Sequence, residues 1–369
     1  MHEAIIGCLG RIRFIVSMPR TGRPCRVQIG TGKYKYRDLE IFPAMHSTVL
    51  ERSPKSALTF DRQTGRIGGA GARERLTIGA MQAGAAISSS WYFRGFAAGC
   101  RGLRTLSSEQ PIEVRLNEDA VFSFPFCDGY WSLLLFSRYR YEFDIEMFFK
   151  GIADADYTLI DGGANFGYWS VLASSRPYGA HRSVAIEPST ANFSWLSRNA
   201  SLNDGRFTPV KAAIGATEGV AHLSGRKHEA LSIAGGSDAG EEVPVVTLDS
   251  LMERMKLDPK GRYVAKLDVE GVEIAAIAGG EKFLSGDCVM ICEEHGNDSN
   301  HTISRHILDH TPFKLFCYDP ATGRFEQLKD VAPLDRIKQA VNYGYNVLAT
   351  SSPYWEERIR ALGPFSRER

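Results

Sequence analysis

The sequence predicts an α/β protein whose core is an open, doubly wound and mostly parallel sheet. Three observations carry this reading. The run Thr158-Leu159-Ile160-Asp161 is followed by Gly162, Gly163 and Gly167 and by a helical restart at Tyr168, which reads as strand, tight turn and helix. Apolar β-type runs then alternate with helical patterns as far as residue 350, the order that builds parallel strands with crossover helices. Finally, Cys288-Val289-Met290-Ile291-Cys292 is wholly apolar, as suits a strand covered on both faces.

Residues 1–105 are rich in Arg, Gly and Ser with weak periodicity. They are expected to form a basic extension, poorly ordered or partly helical, with helix over 74–98. An internal start at Met81 is one expectation for this region. The main domain is expected over 106–350 and a tail over 351–369. Strict alternation in Ile112–Leu116 and in Ala120–Phe124, separated by Asn117-Glu118-Asp119, predicts a β-hairpin. The aromatic residues between Trp131 and Lys150 predict core-facing helical segments. Beyond the glycine turn the pattern predicts a helix over 192–199 and a strand over 207–214. Short extended pieces at 220–223 and 243–246 should flank a polar loop at 225–242. A helix over 250–255 would be capped by Thr247 or Asp249. A strand at 263–267, a helix at 272–283 and strands at 288–292, 313–318 and 345–350 complete the set.

Four of these strands end on chargeable residues: Asp161, Glu187, Asp268 with Glu270, and Glu293-Glu294-His295. In a doubly wound sheet ligands bind at the carboxyl ends of the strands, so these residues should share one cleft. The glycine turn departs from the dinucleotide fingerprint, because Ala164 stands where its middle glycine would admit a pyrophosphate. It reads instead as D-x-G-x-N-x-G, similar to the first motif of class I S-adenosylmethionine-dependent methyltransferases. Glu187 lies about where a ribose-binding acid is placed.

The ordered set Asp161–Ser170, Glu187-Pro188-Ser189 with Asn192-Phe193 and Leu196, Val243–Leu251, Lys266-Leu267-Asp268-Val269-Glu270-Gly271-Val272-Glu273 and Cys292–Gly296 resembles the FkbM family of S-adenosylmethionine-dependent methyltransferases. The resemblance covers 141–295, and 111–350 in outline. It departs at Gly162, where the family has Val, and in the Arg-rich N-terminal region. It implies a class I, Rossmann-like domain that moves a methyl group from S-adenosylmethionine to an oxygen, commonly a hydroxyl of a sugar or polyketide-like product. Chemistry then suggests a cofactor site made of Asp161, Gly162, Gly163, Asn165, Gly167, Glu187 and Ala213. For catalysis it suggests His295 as general base, Glu293 orienting its ring, and Asp268 positioning the acceptor or serving as base in its place. Glu270 ranks second. The acceptor wall is expected from 126–141, 225–242 and 297–301.

Two other classes remain open on the residues alone: an NAD-dependent oxidoreductase, which shares the fold, and a basic nucleic-acid-binding protein. The second rests on charge: the 369 residues sum to +1, but the first 105 carry roughly +11 and the rest roughly −10. Against it, the basic residues are not interleaved with a recognisable reading element. No metal site is expected. His306 and His310 lack the Glu of H-E-x-x-H, and a divalent ion on Asp268, Glu293 and His295 is the alternative. The seven cysteines contain no C-x-x-C pair and are expected to be reduced. No membrane span and a cytoplasmic location are expected, with a small-molecule or saccharide hydroxyl as partner and no nucleic acid.

Overall fold

The computed structural model describes residues 57–107, 110–227, 230–234, 240–338 and 344–365. An eight-stranded sheet forms its centre, with strands numbered here in chain order: β1 (Thr158–Gly162), β2 (Arg182–Ile186), β3 (Phe207–Val210), β4 (Arg262–Leu267), β5 (Asp287–Glu294), β6 (Lys314–Asp319), β7 (Arg324–Leu328) and β8 (Tyr345–Thr350). Their order across the sheet is 7-6-8-5-4-1-2-3. The pairs among β1 to β5 are parallel, whereas β8 runs antiparallel to both β5 and β6. The doubly wound, mostly parallel sheet is therefore present. Alternate residues of the central strands enter two apolar clusters, with Val264, Val289 and Ile291 in one and Ala265, Met290 and Cys292 in the other. This is why β5 reads as a continuous apolar run.

The predicted hairpin is Pro111–Arg115 paired antiparallel with Val121–Pro125. It belongs to a four-stranded sheet that also contains Leu58–Asp61, parallel to Pro111–Arg115, and the short Ile67–Gly68. Leu58 and Phe60 are buried in the same cluster as the hairpin's Phe122 and Phe124. This sheet runs across the expected division at residue 105, and a chain starting at Met81 would lose two of its strands. Residues 1–56 lie outside the described residues. The helix expected over 74–98 is two helices, Ala72–Ser88 and Phe96–Arg104. Between them the chain turns through Tyr92, Phe93 and Gly95, all at positive φ.

Three other expectations are corrected. The strand over 207–214 splits, because Ala213–Ile214 leaves β3 to pair with Val245–Val246 in a second four-stranded sheet. The loop at 225–242 is largely a β-ribbon, with Gly219–Lys227 antiparallel to both Ala230–Ala234 and Glu241–Val246. Its alternation Leu231-Ser232-Ile233 is hidden in the sequence between charged and glycine residues. The helix over 272–283 breaks at Gly279-Gly280 into Glu273–Ala278 and Glu281–Ser285. A Cβ on Gly279 would come within 2.2 Å of the Gly215 carbonyl oxygen, so close packing of two segments requires the glycine there. The segment 351–369 begins with the helix Pro353–Ala361, whose Trp355 is buried and donates to the Asp287 carbonyl at 3.1 Å.

One side chain joins the hairpin sheet to the glycine turn. Asn199 is fully buried on the helix Thr190–Leu202, where its Oδ1 accepts from Ser123 N at 2.7 Å. Its Nδ2 donates to the carbonyls of Ser123 (3.0 Å) and Phe166 (2.8 Å). Asn199→Ala leaves these groups unpaired in the interior and should cost on the order of 3 kcal/mol. Urea unfolding measures it, and a loss below about 1 kcal/mol would show that the two sheets do not depend on this tie.

Candidate active site

The carboxyl ends of β1, β2, β4 and β5 meet in one cavity of about 480 Å³, and Asp161, Glu187, Asp268, Glu270 and Glu293 all line it. Gly163, Asn165 and Ala213 line it as well. Gly162 and Gly167 are absent from the lining, and their reason is packing. A Cβ on Gly162 would stand 2.7 Å from Ile214 Cδ1, and one on Gly167 would stand 2.5 Å from Leu196 Cδ1. Gly163, at φ +74°, also answers to the fold, because its Cβ would stand 1.7 Å from the Asp268 carbonyl oxygen. The turn after β1 thus lies against the backbone at the end of β4.

Asn165, at φ +53°, reverses the chain inside that turn. Its Oδ1 accepts from Phe166 N at 2.8 Å, and its own N–H donates to Glu187 Oε2 at 2.9 Å. The other Glu187 oxygen accepts from Ser189 N (3.0 Å) and Asn192 Nδ2 (3.3 Å). Burial pushes the Glu187 carboxyl up to about 8, with these hydrogen bonds opposing. Asp161 is buried and accepts from Ser170 Oγ at 2.7 Å, which ties the strand end to the helix Tyr168–Ala173.

Lys266 is a buried charge among the buried, largely apolar residues that follow Arg262 in β4. Its Nζ lies 2.9 Å from Asp268 Oδ2. Burial opposes its ammonium form, but Asp268, Glu142 and Asp161 around it keep the proton on. Burial would likewise raise Asp268, and Lys266 reverses that, holding the carboxyl below its ordinary value. Oxygens of Glu142, Asp268 and Glu293 all lie within 4.8 Å of one another. Burial, and then repulsion from Asp268, pushes Glu293 well up. Burial also raises Glu142 to about 7, against the pull of Lys266. This three-carboxylate set has the donors for a divalent ion, with the Lys266 ammonium already beside one of them.

His295 is half-buried just past β5 and is not among the lining residues, although its charge acts on Asp268. Glu294 turns away from the cavity and accepts from Ile303 N and Ser304 N, holding the start of the helix Thr302–His310. His306 and His310 stack on that helix with centroids 5.1 Å apart. Sequence reasoning missed Glu142 and Lys266. A lysine among largely apolar strand residues is the signal that could have found Lys266. Glu142 carries no sequence signal, although its φ of +43° marks a constrained backbone.

Much of the remaining lining is aromatic, with Tyr130, Trp131, Tyr139 and Tyr141 from the segment 126–141 and Tyr168 from the glycine motif. Trp131 stacks on Tyr168 at 5.6 Å, and Tyr130 Oη donates to Tyr141 Oη at 2.9 Å. Tyr92 and Phe93 complete it from the N-terminal turn. Residues 297–301 do not line the cavity, and His301 is instead buried against Tyr345 and Asp335. Side chains over 224–239 lie outside the described residues. Lys266→Met would strand the Asp268 and Glu142 carboxyls without their cation and should cost about 3–5 kcal/mol in denaturant unfolding. A loss under about 1 kcal/mol would mean that the carboxyls take up protons at little cost.

Residues 161–313 match the family model described as Methyltransferase FkbM domain. No curated protein matches the chain. Among solved structures, Methyltransferase FkbM from Methylobacillus flagellatus KT is 16% identical over 53% of this chain and 43% of its own, with a TM-score of 0.33. The alignment thus spans less than half of that protein's length. Precorrin-6y C5,15-methyltransferase from Geobacter metallireducens GS-15 is 14% identical over 58% of this chain and 88% of its own, TM-score 0.32. A SAM-dependent O-methyltransferase from Thermotoga maritima is 14% identical over 58% and 66%, TM-score 0.30. The five motifs and the family model fall on the same stretch, so residues 161–313 are similar to a methyltransferase FkbM domain, and the methyl donor that such a domain implies is S-adenosylmethionine.

Proposed function

We propose that this protein is an O-methyltransferase that moves the methyl group of S-adenosylmethionine to a hydroxyl of a sugar or natural-product acceptor. The observation that carries this is one cavity lined by three kinds of group: Glu187 with the turn 163–165, three carboxyls around Lys266, which form its floor, and a set of aromatic rings. Glu187 suits a ribose hydroxyl, since its Oε2 keeps acceptor capacity beyond the one bond it makes with Asn165 N–H. Ala213 gives the adenine a flat, small neighbour. Asp161 and the carbonyls of the turn suit the donor's ammonium. The aromatic wall suits the apolar face of a sugar or a ring-bearing acceptor.

Transfer to a hydroxyl forms an O–CH3 bond as the S–CH3 bond breaks, and the hydroxyl proton must go to a base. Of the sequence candidates, Asp268 lines the cavity but is held ionised by Lys266, which makes it a weak proton acceptor suited to orienting the hydroxyl. Glu293 lines the cavity too and His295 does not. Glu142, raised to about 7, has the proton affinity that the task needs near neutral pH. The assignment is therefore Glu142 as base and Asp268 as positioning group, with Glu293 beside them and His295 acting on Asp268 through its charge.

Two measurements test this. Glu142→Gln should lower kcat by roughly 10²–10⁴ with donor affinity unchanged, and His295→Ala should stay within a few-fold. The reverse pattern would return the base to His295. Donor binding should also be proton-linked. A diol donates to a carboxylate, so Glu187 must release a proton when the donor binds, and affinity should climb as pH rises toward about 8 and then level off. Calorimetry in buffers of different ionisation heat reads that proton, and pH-independent affinity would remove Glu187 from the ribose site.

A further inference from the structure

All five large apolar side chains that stand exposed among the described residues fall within one short stretch: Leu76, Ile87, Trp91, Tyr92 and Leu106. They lie on or beside the helices Ala72–Ser88 and Phe96–Arg104. Buried Ile78, Met81, Phe96 and Cys100 fasten this pair to the core. The outward side is small and apolar, with Ala80, Ala83, Ala86, Ala97 and Ala98 all exposed. A shallow groove between the helices is lined by Met81, Ile87, Trp91 and Leu103.

The same stretch carries five exposed arginines: Arg73, Arg75, Arg94, Arg101 and Arg104. Between residues 70 and 107 the only acid is Glu74, and its carboxylate accepts from Gly71 N. An apolar centre with a cationic rim asks for a partner that is greasy and anionic at once. Residues 1–56 of this chain do not fit, carrying 10 Lys and Arg against 4 Asp and Glu. A second copy would bring arginine against arginine. A nucleic acid would use the arginines but leave Leu76, Ile87 and Trp91 in water. A bilayer surface takes both, with Trp, Ile and Leu entering the interface and Arg meeting lipid phosphates.

We propose that this helical pair docks on a membrane surface rich in anionic lipid headgroups, lying flat on it. No helix among the described residues is long and apolar enough to cross a membrane, so the attachment is peripheral. Tyr92 and Phe93, in the turn between the two helices, also line the cavity. On the methyl-transfer reading, docking therefore brings the aromatic wall to the lipid and admits a hydroxyl acceptor carried on a lipid headgroup.

The test uses the full chain without donor, so that its result is independent of the enzymatic assignment. In flotation assays it should bind vesicles of phosphatidylcholine mixed with phosphatidylglycerol and not vesicles of phosphatidylcholine alone. Arg94→Gln with Arg101→Gln should weaken binding on the order of 30-fold. Ile87→Asp with Trp91→Asp should lower it at least as much, with an unchanged melting temperature because both side chains are exposed. Absence of binding to the anionic vesicles overturns the proposal. So does undiminished binding by the Ile87/Trp91 variant, which would place the contact elsewhere in the chain. Binding to an oligonucleotide that depends on the arginines but not on Ile87 and Trp91 would assign the surface to nucleic acid instead.

Discussion

The constraint around which the site is built is a single buried ammonium. Lys266 stands near the carboxyl end of β4, and its Nζ is 2.9 Å from Asp268. Glu142 and Asp161 are further sources of its stabilisation. Without that cation, the three floor carboxyls, which come from separate elements, could not share one low-dielectric site while any of them stays ionised, since each would be driven to hold its proton. With it, Asp268 is kept charged, while burial and the Asp268 charge push Glu142 and Glu293 the other way against the lysine's pull. Neighbouring carboxyls thus acquire different proton affinities on one floor. A site that must both orient a hydroxyl and accept its proton needs that separation.

A second constraint is the contact between the turn after β1 and the end of β4. With 1.7 Å between a Cβ on Gly163 and the Asp268 carbonyl oxygen, no other residue fits without moving one loop. The glycine is therefore required by the backbone itself, before any ligand enters. Gly162 and Gly167 meet side-chain ends instead, Ile214 Cδ1 and Leu196 Cδ1, and Gly167 sits in addition at φ +87°. The turn is shaped by its neighbours, and Asn165 and Glu187 then close it with a hydrogen bond of 2.9 Å. The floor and the turn that closes one end of the cavity are consequently one mechanical unit.

This explains which parts were legible in the sequence. The strands of the main sheet show because a doubly covered strand has to be apolar, and the acids at their ends show because strand ends are where charge can be tolerated. Asp161, Glu187, Asp268 and Glu293 were found in this way. The spacing could not tell which glycines face a ligand and which face protein, because both uses demand the same residue. Nor could it place His295, where the side chain's direction past the end of β5 decides between lining the cavity and standing behind it. Glu142 was invisible because it reaches the floor from outside the β/α alternation, through a positive-φ turn. The helical turn at 92–95 was hidden for a related reason: Tyr92 and Phe93 adopt left-handed backbone that their residue types do not announce.

The charge balance of the proposed reaction follows from the same floor. Before transfer the cavity would hold a sulfonium among several carboxyls, some ionised, and that attraction favours the donor. Transfer converts the sulfonium to a neutral thioether and sends the hydroxyl proton to a carboxylate. One positive and one negative charge therefore disappear together, and with them the attraction that held the donor. In the transition state the two charges are only partly neutralised, and the Lys266 ammonium fixed beside them needs no reorganisation. Because Lys266 keeps its own proton throughout, Asp268 stays available to orient the hydroxyl while the proton is taken by the neighbour whose affinity is higher. An acid-lined floor without the lysine would bind the cation but would have to protonate itself to exist, and it would then lack the base that the acceptor needs.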